Sequence, residues 1–349
     1  MAEKRGDNGA SYRRFKQELA AGTIGSLYIF HGEEAYLRDY CLGRMKEQLL
    51  GQGMAQFNLH ECPAKELTAR RLEEMVDALP MMSERTMVLI CDFDLFKAPQ
   101  EERDGIAAIL SDLPDYCCVV FVYDLIEYKP DGRVKLAAVL KEHAQVVEFA
   151  RQSQGDLIDW VHRRFHALGK EIDTEQARYL IFRCGDLMNT LIGEIEKVGA
   201  YAKGKRVTRE DVDAVSTPQL DAVVFDMTDA LGAGDFDRAA KVMGELLQMQ
   251  EPPARILYML GWHLRRLYAA RLLLEENKGA GELARLWGMK DYPAQKLMAG
   301  ARRFSPGWCR AALIRCEKAD AEMKSSEFSG ERDVLIDLLL ALAVPHAGR

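Results

Sequence analysis

The chain has 349 residues, of which 48% are hydrophobic and 29% charged, and its 47 Lys and Arg against 54 Asp and Glu give a net charge of −7. This balance is that of a globular protein and excludes a disordered or fibrous chain. No apolar run approaches the roughly 20 residues of a membrane-spanning helix, and the polar start lacks the apolar stretch of a signal peptide, so we expect a cytoplasmic protein without a membrane partner. At about 100–200 residues per domain, the length predicts two or three domains.

Strand and helix signals alternate in the first segment, which predicts an α/β domain over residues 1–150. The predicted strands are Leu27–Phe30, a weaker run near Phe57–Leu59, Thr86–Cys91, Cys117–Tyr123 and Val146–Phe149. Helical patterns lie between them at Glu33–Leu50, Lys65–Leu79, Glu101–Leu110 and Arg133–His143. Strands that are apolar on both faces and alternate with helices indicate a parallel sheet covered by helices on both sides.

Only helical patterns follow Phe149. A small helical domain is predicted over 151–216, and a larger helical domain over 217–349, because Ser216-Thr217-Pro218 interrupts the periodicity between them. The first 150 residues hold 18 Lys and Arg against 25 Asp and Glu, whereas the other two segments are neutral. An acidic to neutral chain is not expected to bind duplex DNA tightly on its own.

The residues of the turn after the first strand indicate whether this domain could bind a nucleotide. A phosphate loop needs GxxxxGK[ST], in which glycines expose backbone N–H groups, Lys neutralises charge and a hydroxyl binds magnesium. Here Gly32 is followed by Glu33 and Glu34, which would repel a polyphosphate. Asp92, after the third strand, is either a magnesium ligand or a polar strand end, and we favour the strand end. The sequence therefore predicts no ATP site, no catalytic site and no cofactor.

The cysteines, the histidine pair and the paired arginines are best explained by structural roles. The eight cysteines form no CxxC pair, so reduced core thiols are expected rather than disulfides or a zinc site. His162 and His166 lie four residues apart, but Arg163 stands where a zinc protease has Glu, so no metal site is predicted. Basic groups occur at Arg265-Arg266 and Arg302-Arg303, which we interpret as solvated helix faces that could approach DNA only inside an assembly.

Four segments in order resemble one protein family. They are Leu27–Arg38 (LYIFHGEEAYLR), Leu79–Arg85 (LPMMSER), Gly185–Leu187 with Glu194–Lys197 (GDL and EIEK), and Phe225–Leu231 (FDMTDAL). The family is the delta subunit of the bacterial DNA polymerase III clamp loader, and the resemblance extends from about Ser26 to Leu342. It implies an AAA+-like first domain without a phosphate loop, a helical lid and a C-terminal helical collar.

The resemblance also implies partners and site residues. Delta assembles in a ring with the ATP-binding gamma/tau subunits and delta-prime, binds the beta sliding clamp and favours the open clamp for loading on primed DNA. Met188 is at the position where active relatives carry a nucleotide-sensing Arg, and an uncharged side chain cannot stabilise a phosphate. The clamp-binding pair corresponds to Met81 and Met82.

Adjacent apolar side chains after Pro80, followed by Ser83-Glu84-Arg85, cannot easily both face one core. Met81 and Met82 therefore suit insertion into a partner's pocket, although both could instead cap the domain's own core. Two other functions stay open: a divergent NTPase, and an inactive AAA+-like scaffold of the delta-prime type. The first would need a Lys and a hydroxyl at the turn after Phe30, and the second a cysteine cluster and a Ser-Arg-Cys triplet.

Overall fold

The computed structural model describes residues 9–51, 55–248, 250–325 and 330–343. The described residues form two compact units. The first is formed by the described residues within Met1–Ser153 together with Leu187–Asn189, and the second by the described residues within Gln154–Asp186 and Thr190–Arg349. The helices on both sides of the predicted boundary at 216 thus belong to one compact unit, and the division into three functional domains stays a prediction.

Five parallel strands form the centre of the first unit. They are β1 (Leu27–His31), β2 (Leu59–Pro63), β3 (Thr86–Cys91), β4 (Cys117–Val122) and β5 (Gln145–Glu148). Their order is β2-β3-β4-β1-β5, and every pair is parallel. The three middle strands are buried along almost their whole length. The predicted parallel sheet is therefore confirmed.

Helices cover both faces of this sheet. They are α1 (Ala10–Ala21), α2 (Ala35–Leu50), α3 (Ala55–Asn58), α4 (Ala69–Val76), α5 (Gln100–Leu110) and α6 (Lys135–His143). One core lies between the sheet and α1 and α2, and a second lies between the opposite face and α4, α5 and α6. The weak run near Phe57–Leu59 was misplaced as a strand, because α3 occupies most of it and β2 begins at Leu59.

Helix α1 was not predicted from the sequence. Its apolar stripe is narrow, with only Phe15 and Leu19 buried. The Phe15 ring nevertheless packs edge-on against Tyr28 and Phe30 of β1, with ring centroids 5.5 Å and 5.1 Å apart. Edge-to-face aromatic pairs of this kind add to the stabilisation from burial, so tertiary contacts explain this helix better than local periodicity does.

The second unit is built from helices. They are α7 (Gln154–Ala167), α8 (Thr174–Cys184), α9 (Met188–Tyr201), α10 (Arg209–Val215), α11 (Leu220–Ala233), α12 (Phe236–Gln248), α13 (Pro253–Glu275), α14 (Ala280–Trp287), α15 (Asp291–Ala301), α16 (Pro306–Lys324) and α17 (Glu331–Ala343). The prediction that only helical patterns follow Phe149 is therefore confirmed for the helices of the described residues. Thr208 and Asp211 form a capping box at the start of α10.

Ion pairs join the helices on both sides of Pro218. Arg183 of α8 lies 3.5 Å from carboxylate oxygens of Asp213 in α10 and of Asp226 in α11. Lys296 of α15 lies 3.4 Å from Asp226. Arg183, Asp226 and Lys296 are largely shielded from water, where ion pairs are screened less than at the surface, whereas Asp213 is 43% exposed. Helices α8, α10, α11 and α15 are therefore tied together within one unit.

Seven of the eight cysteines are buried, as expected for core thiols, but Cys91 is exposed. Cys91 is the last residue of β3 and lies at the sheet edge, beyond the strand residues that the helices cover. Among the described residues, no helix is long and apolar enough to cross a membrane.

A histidine is buried in the core of the second unit. The Nε2 atom of His263 in α13 lies 2.8 Å from the Thr228 hydroxyl oxygen, which also donates to a backbone carbonyl of α11. The Nδ1 atom has no hydrogen-bond partner. Burial, reinforced by the positive charges of Arg266 and Lys296, lowers the pKa of His263 to about 3. The imidazole is therefore neutral in the folded protein.

This burial predicts acid sensitivity of the second unit. Below the ordinary pKa of about 6.5, the unfolded chain binds a proton at His263 that the folded chain does not, so stability falls as the pH falls from 6.5 towards 3. Between pH 7 and 5.5 we expect the wild type to lose about 1 kcal/mol more unfolding free energy than His263→Gln. Urea unfolding followed by tryptophan fluorescence measures this unit, since it contains all four tryptophans: Trp160, Trp262, Trp287 and Trp308. Equal pH dependence in both proteins would contradict the prediction.

Candidate functional site

The turn between β1 and α2 has three residues, Gly32, Glu33 and Glu34. Gly32 has φ of +121°, and a Cβ added there would lie 2.5 Å from the carbonyl oxygen of Phe149. The Glu34 N–H donates to the same carbonyl at 2.8 Å, and Glu33 pairs with Arg151 at 2.8 Å. Gly32 therefore permits close packing against the chain after β5, and the turn presents no phosphate cradle.

Glu34 is fully buried. Its two carboxylate oxygens lie 3.3 Å and 3.4 Å from the backbone N of Met188, the first residue of α9. Met188 belongs to the first compact unit, as Glu34 does. Helix N-termini favour anions because their first N–H groups lack partners within the helix. The side chain at the predicted nucleotide-sensing position is a buried Met188, and its backbone N–H faces a carboxylate of the protein itself.

Asp92 follows β3 with φ of +56°. Its Oδ1 atom accepts hydrogen bonds from the backbone N–H groups of Asp124 and Leu125 at 2.8 Å and of Ile126 at 3.3 Å. This carboxylate oxygen fixes the turn after β4, in agreement with a polar strand end. Among the described residues, no cluster of three or more His, Cys, Asp or Glu side chains is placed to hold a metal ion.

The loop between α4 and β3, residues 77–85, is hereafter the tip loop. The sequence predicted that the preceding helix continues to Leu79, but α4 ends at Val76. Leu79, Met81 and Met82 project from the tip loop with 72%, 58% and 88% of their surface exposed. Exposed apolar residues that cluster on one loop are typical of protein-binding surfaces. The two predicted residues are thus exposed. Leu79 is an additional exposed apolar residue, which was not predicted because the sequence placed it within the helix.

Polar side chains beneath the tip loop fix its backbone. Asn58, fully buried at the end of α3, accepts from the Met81 N–H at 2.7 Å and donates to the Met81 carbonyl at 2.9 Å. The Ser83 hydroxyl donates to the Leu49 carbonyl at 3.1 Å. The Arg85 guanidinium donates to the carbonyls of Ile24 at 2.6 Å and Gly25 at 2.8 Å. Arg85 and Asn58 thus anchor the loop, and the sequence analysis did not identify the role of Asn58.

Met82 has a backbone conformation that is unfavourable for its residue type. Its φ is +53°, in the left-handed region that costs roughly 1–2 kcal/mol for a residue with a Cβ. Such conformations persist when the surrounding structure determines them, and they concentrate at functional sites. The hydrogen bonds of Asn58, Ser83 and Arg85 on both sides of Met82 supply that determination.

The basic groups of the second unit differ from the expectation in one respect. Arg265, Arg302 and Arg303 are exposed, but Arg266 is buried and stacks over the Trp262 ring at 3.3 Å from its centroid. Burial lowers the pKa of Arg266 to about 10. Arg266 is therefore part of the packed interior, and the interpretation of this residue as a solvated basic group was wrong.

The first unit is a parallel α/β domain in which the turn after β1 is short and closed. The fold is also that of a solved structure, the Bacillus subtilis DNA clamp loader delta protein, with a TM-score of 0.53, 21% sequence identity, and coverage of 95% of this chain and 99% of that one. The class is thus a protein with a parallel α/β domain whose first turn is closed, followed by helices in the described remainder of the chain.

Sequence comparison gives the family. The model described as "DNA polymerase III, delta subunit" matches residues 28–150, and that of the "DNA polymerase III delta subunit, C-terminal domain" matches residues 221–342. Together they span more than half of the 349 residues. The chain belongs to the family of DNA polymerase III delta subunits.

Two curated relatives carry the same description. The DNA polymerase III subunit delta of Bacillus subtilis is 22% identical over 330 residues, which cover 93% of this chain and 94% of that protein. A protein of Aquifex aeolicus described as "Probable DNA polymerase III subunit delta" is 24% identical over 271 residues, or 76% of each chain. The resemblance that the four sequence segments indicated is therefore confirmed.

The strained conformation of Met82 predicts opposite effects of glycine at neighbouring positions. The free energy of unfolding of Met82→Gly should exceed that of Met82→Ala by about 0.5–1 kcal/mol, because glycine adopts positive φ without steric cost. Met81 has no positive φ, so Met81→Gly should be less stable than Met81→Ala by about 0.5–1 kcal/mol. Scanning calorimetry of the four variants measures both differences. A lower stability of Met82→Gly than of Met82→Ala would show that Met82 carries no backbone strain.

Proposed function

We propose that this chain is the non-ATPase subunit of a clamp loader, which binds the sliding clamp through the tip loop and favours the open clamp for loading on primed DNA. The observation that carries the proposal is the set of exposed apolar side chains on a hydrogen-bonded backbone, Leu79, Met81 and Met82. Membership of the delta-subunit family supports the choice of the sliding clamp as the partner.

Methionine suits this task because its unbranched, polarizable side chain adapts to an irregular apolar pocket. A ligand shifts the equilibrium between two conformations only by its difference in affinity for them. Opening of the clamp therefore requires that the tip loop bind the open clamp more tightly than the closed one. A tip loop with a fixed backbone can make that distinction, since it cannot adjust equally well to both shapes.

The rest of the chain is proposed to hold the tip loop in an assembly. The AAA+-like domain over 1–150 carries it, the lid helices occupy 151–216, and the collar helices over 217–349 join the ATP-binding gamma/tau subunits and delta-prime in a ring. Primed DNA is bound only in that complex, where exposed groups such as Arg265 and Arg302 could approach phosphates. The family description, a subunit of a DNA polymerase, supports a role within a replicative complex.

Removal of both methionines from the tip loop should abolish most clamp binding. Burying each side chain contributes roughly 1.5–3 kcal/mol, so Met81→Ala plus Met82→Ala should weaken binding by about 10²- to 10⁴-fold as an upper range. Titration calorimetry with the sliding clamp of the same bacterium measures the affinity, and circular dichroism establishes that the variant folds. Met81→Phe should retain binding, because a large apolar side chain remains.

The matched control for this experiment is Leu125→Ala. Leu125 is 86% exposed and lies in the turn after β4, outside the tip loop, so its truncation removes an equally exposed apolar side chain without affecting the proposed site. Binding that survives in the double variant, or that is lost equally in the control, would contradict the proposed contact.

The closed turn at Gly32–Glu34 supports the proposal that the chain does not use ATP. A ligand present at 100 times its Kd stabilises a protein by about 2.7 kcal/mol. In about 5 mM Mg-ATP, any site with a Kd of about 50 µM or tighter would therefore raise the melting temperature measurably, and we expect no rise. An ATP-binding gamma/tau subunit under the same conditions is the positive control. Micromolar ATP affinity by calorimetry would overturn the proposal.

A further inference from the structure

We propose that Asn58 is a positioning residue for the tip loop, whose side-chain amide holds the Met81 backbone in the conformation that binds the partner. Its effect on clamp binding depends on the proposed function, whereas its effect on the loop backbone does not. Asn58 makes no part of the exposed apolar surface, because its side chain is fully buried.

The geometry is that of a paired hydrogen bond from one side chain to one backbone residue. The Oδ1 atom accepts from the Met81 N–H at 2.7 Å, and the Nδ2 atom donates to the Met81 carbonyl at 2.9 Å. Two bonds of opposite direction fix both peptide groups that flank Met81. Since they use only the backbone, they leave the Met81 side chain 58% exposed.

The need to bond both the N–H and the carbonyl of Met81 explains why residue 58 is an asparagine. Burial of a polar amide is costly unless its hydrogen bonds are made, and an apolar side chain would fill the same space without that cost. Asn supplies one acceptor and one donor at the separation that a single backbone residue needs. Asp lacks the donor.

Asn58 also explains how the strain at Met82 is maintained. Residues 81 and 83, on either side of Met82, are both hydrogen-bonded to the body of the first unit, Met81 through Asn58 and Ser83 through the Leu49 carbonyl. Met82 therefore has little freedom to relax from its φ of +53°. Without Asn58, the chain before Met82 is released and the left-handed conformation is no longer imposed.

A loop held in its bound conformation avoids the entropic cost of ordering when it binds. Loss of two hydrogen bonds that fix such a loop should weaken clamp binding by roughly 10- to 100-fold, even though no contacting side chain is removed. The defect should be of the same kind in Asn58→Ala, which removes both bonds, and in Asn58→Asp, which keeps the size and one acceptor but replaces the donor with an oxygen facing the Met81 carbonyl.

The experiment measures two quantities on the full chain. Hydrogen exchange by nuclear magnetic resonance reports on the Met81 amide, which donates directly to Asn58, and titration calorimetry reports the affinity for the sliding clamp of the same bacterium. Val147→Ala is the control for destabilisation. Val147 is a fully buried residue of β5, and β5 and β2 are the two outermost strands of the sheet, so Val147 is far from Asn58. It should lower the melting temperature and leave both the Met81 amide and the affinity unchanged.

A double-mutant cycle separates positioning from general destabilisation. If Asn58 acts through the methionine side chains, then Asn58→Ala should cause little additional loss of affinity in a chain that already carries Met81→Ala plus Met82→Ala. A purely structural role would weaken binding by the same factor in both backgrounds.

The outcomes distinguish this inference from the proposed function. Faster Met81 exchange with a 10- to 100-fold loss of affinity, neither of them present in Val147→Ala, supports the inference. Unchanged Met81 exchange in Asn58→Ala, or full affinity despite faster exchange, overturns it while the clamp contact stands. A wild type that does not bind the clamp refutes the proposed function and with it the binding role of Asn58, and the exchange data then decide only whether Asn58 fixes the loop.

Discussion

All five strands of the sheet run in the same direction, and this constraint determines where each candidate site lies. In a parallel sheet, every segment that leads into a strand lies at the amino ends of the strands, here called the amino edge. Every segment that follows a strand lies at their carboxyl ends, here called the carboxyl edge. The turn at Gly32–Glu34, Asp92 and the turn after β4 follow strands and therefore meet at the carboxyl edge. The tip loop enters β3 and therefore lies at the amino edge.

The amino edge supplies many of the hydrogen bonds that hold the tip loop. The carbonyls that Arg85 contacts belong to residues that precede or begin a strand, Ile24 and Gly25 before β1 and Cys117 at the start of β4. Asn58 immediately precedes β2. The contacts of Arg85 and Asn58 thus come from neighbouring strand entries, whereas Ser83 bonds to the Leu49 carbonyl at the end of α2. Together they hold the backbone of a loop whose apolar side chains are exposed to water.

At the carboxyl edge, the turn after β1 is closed by the protein's own backbone. In a phosphate loop, glycine allows the backbone to approach the phosphates, whereas the Cβ position of Gly32 is occupied by the Phe149 backbone. Glu34 places a carboxylate beside the backbone N–H of Met188. The carboxyl edge is therefore closed around this turn, whereas the proposed binding surface, the tip loop, lies at the opposite edge.

The sequence by itself determined the order of elements, the parallel sheet, the helical remainder and the family, because these depend on apolar periodicity and on local motifs. The family resemblance also singled out Met81 and Met82 as candidate binding residues, while their position between Pro80 and a polar run left open whether they cap the domain's own core; the structure shows that both are exposed. The sequence did not reveal helix α1, the burial of Arg266, or the part of Asn58. These depend on contacts between residues distant in the chain: Asn58 and Met81 are 23 positions apart, and Phe15 of α1 packs on strand β1. Only the tertiary structure decided them, because hydrogen bonds and packing between distant segments leave no periodic signal in the sequence.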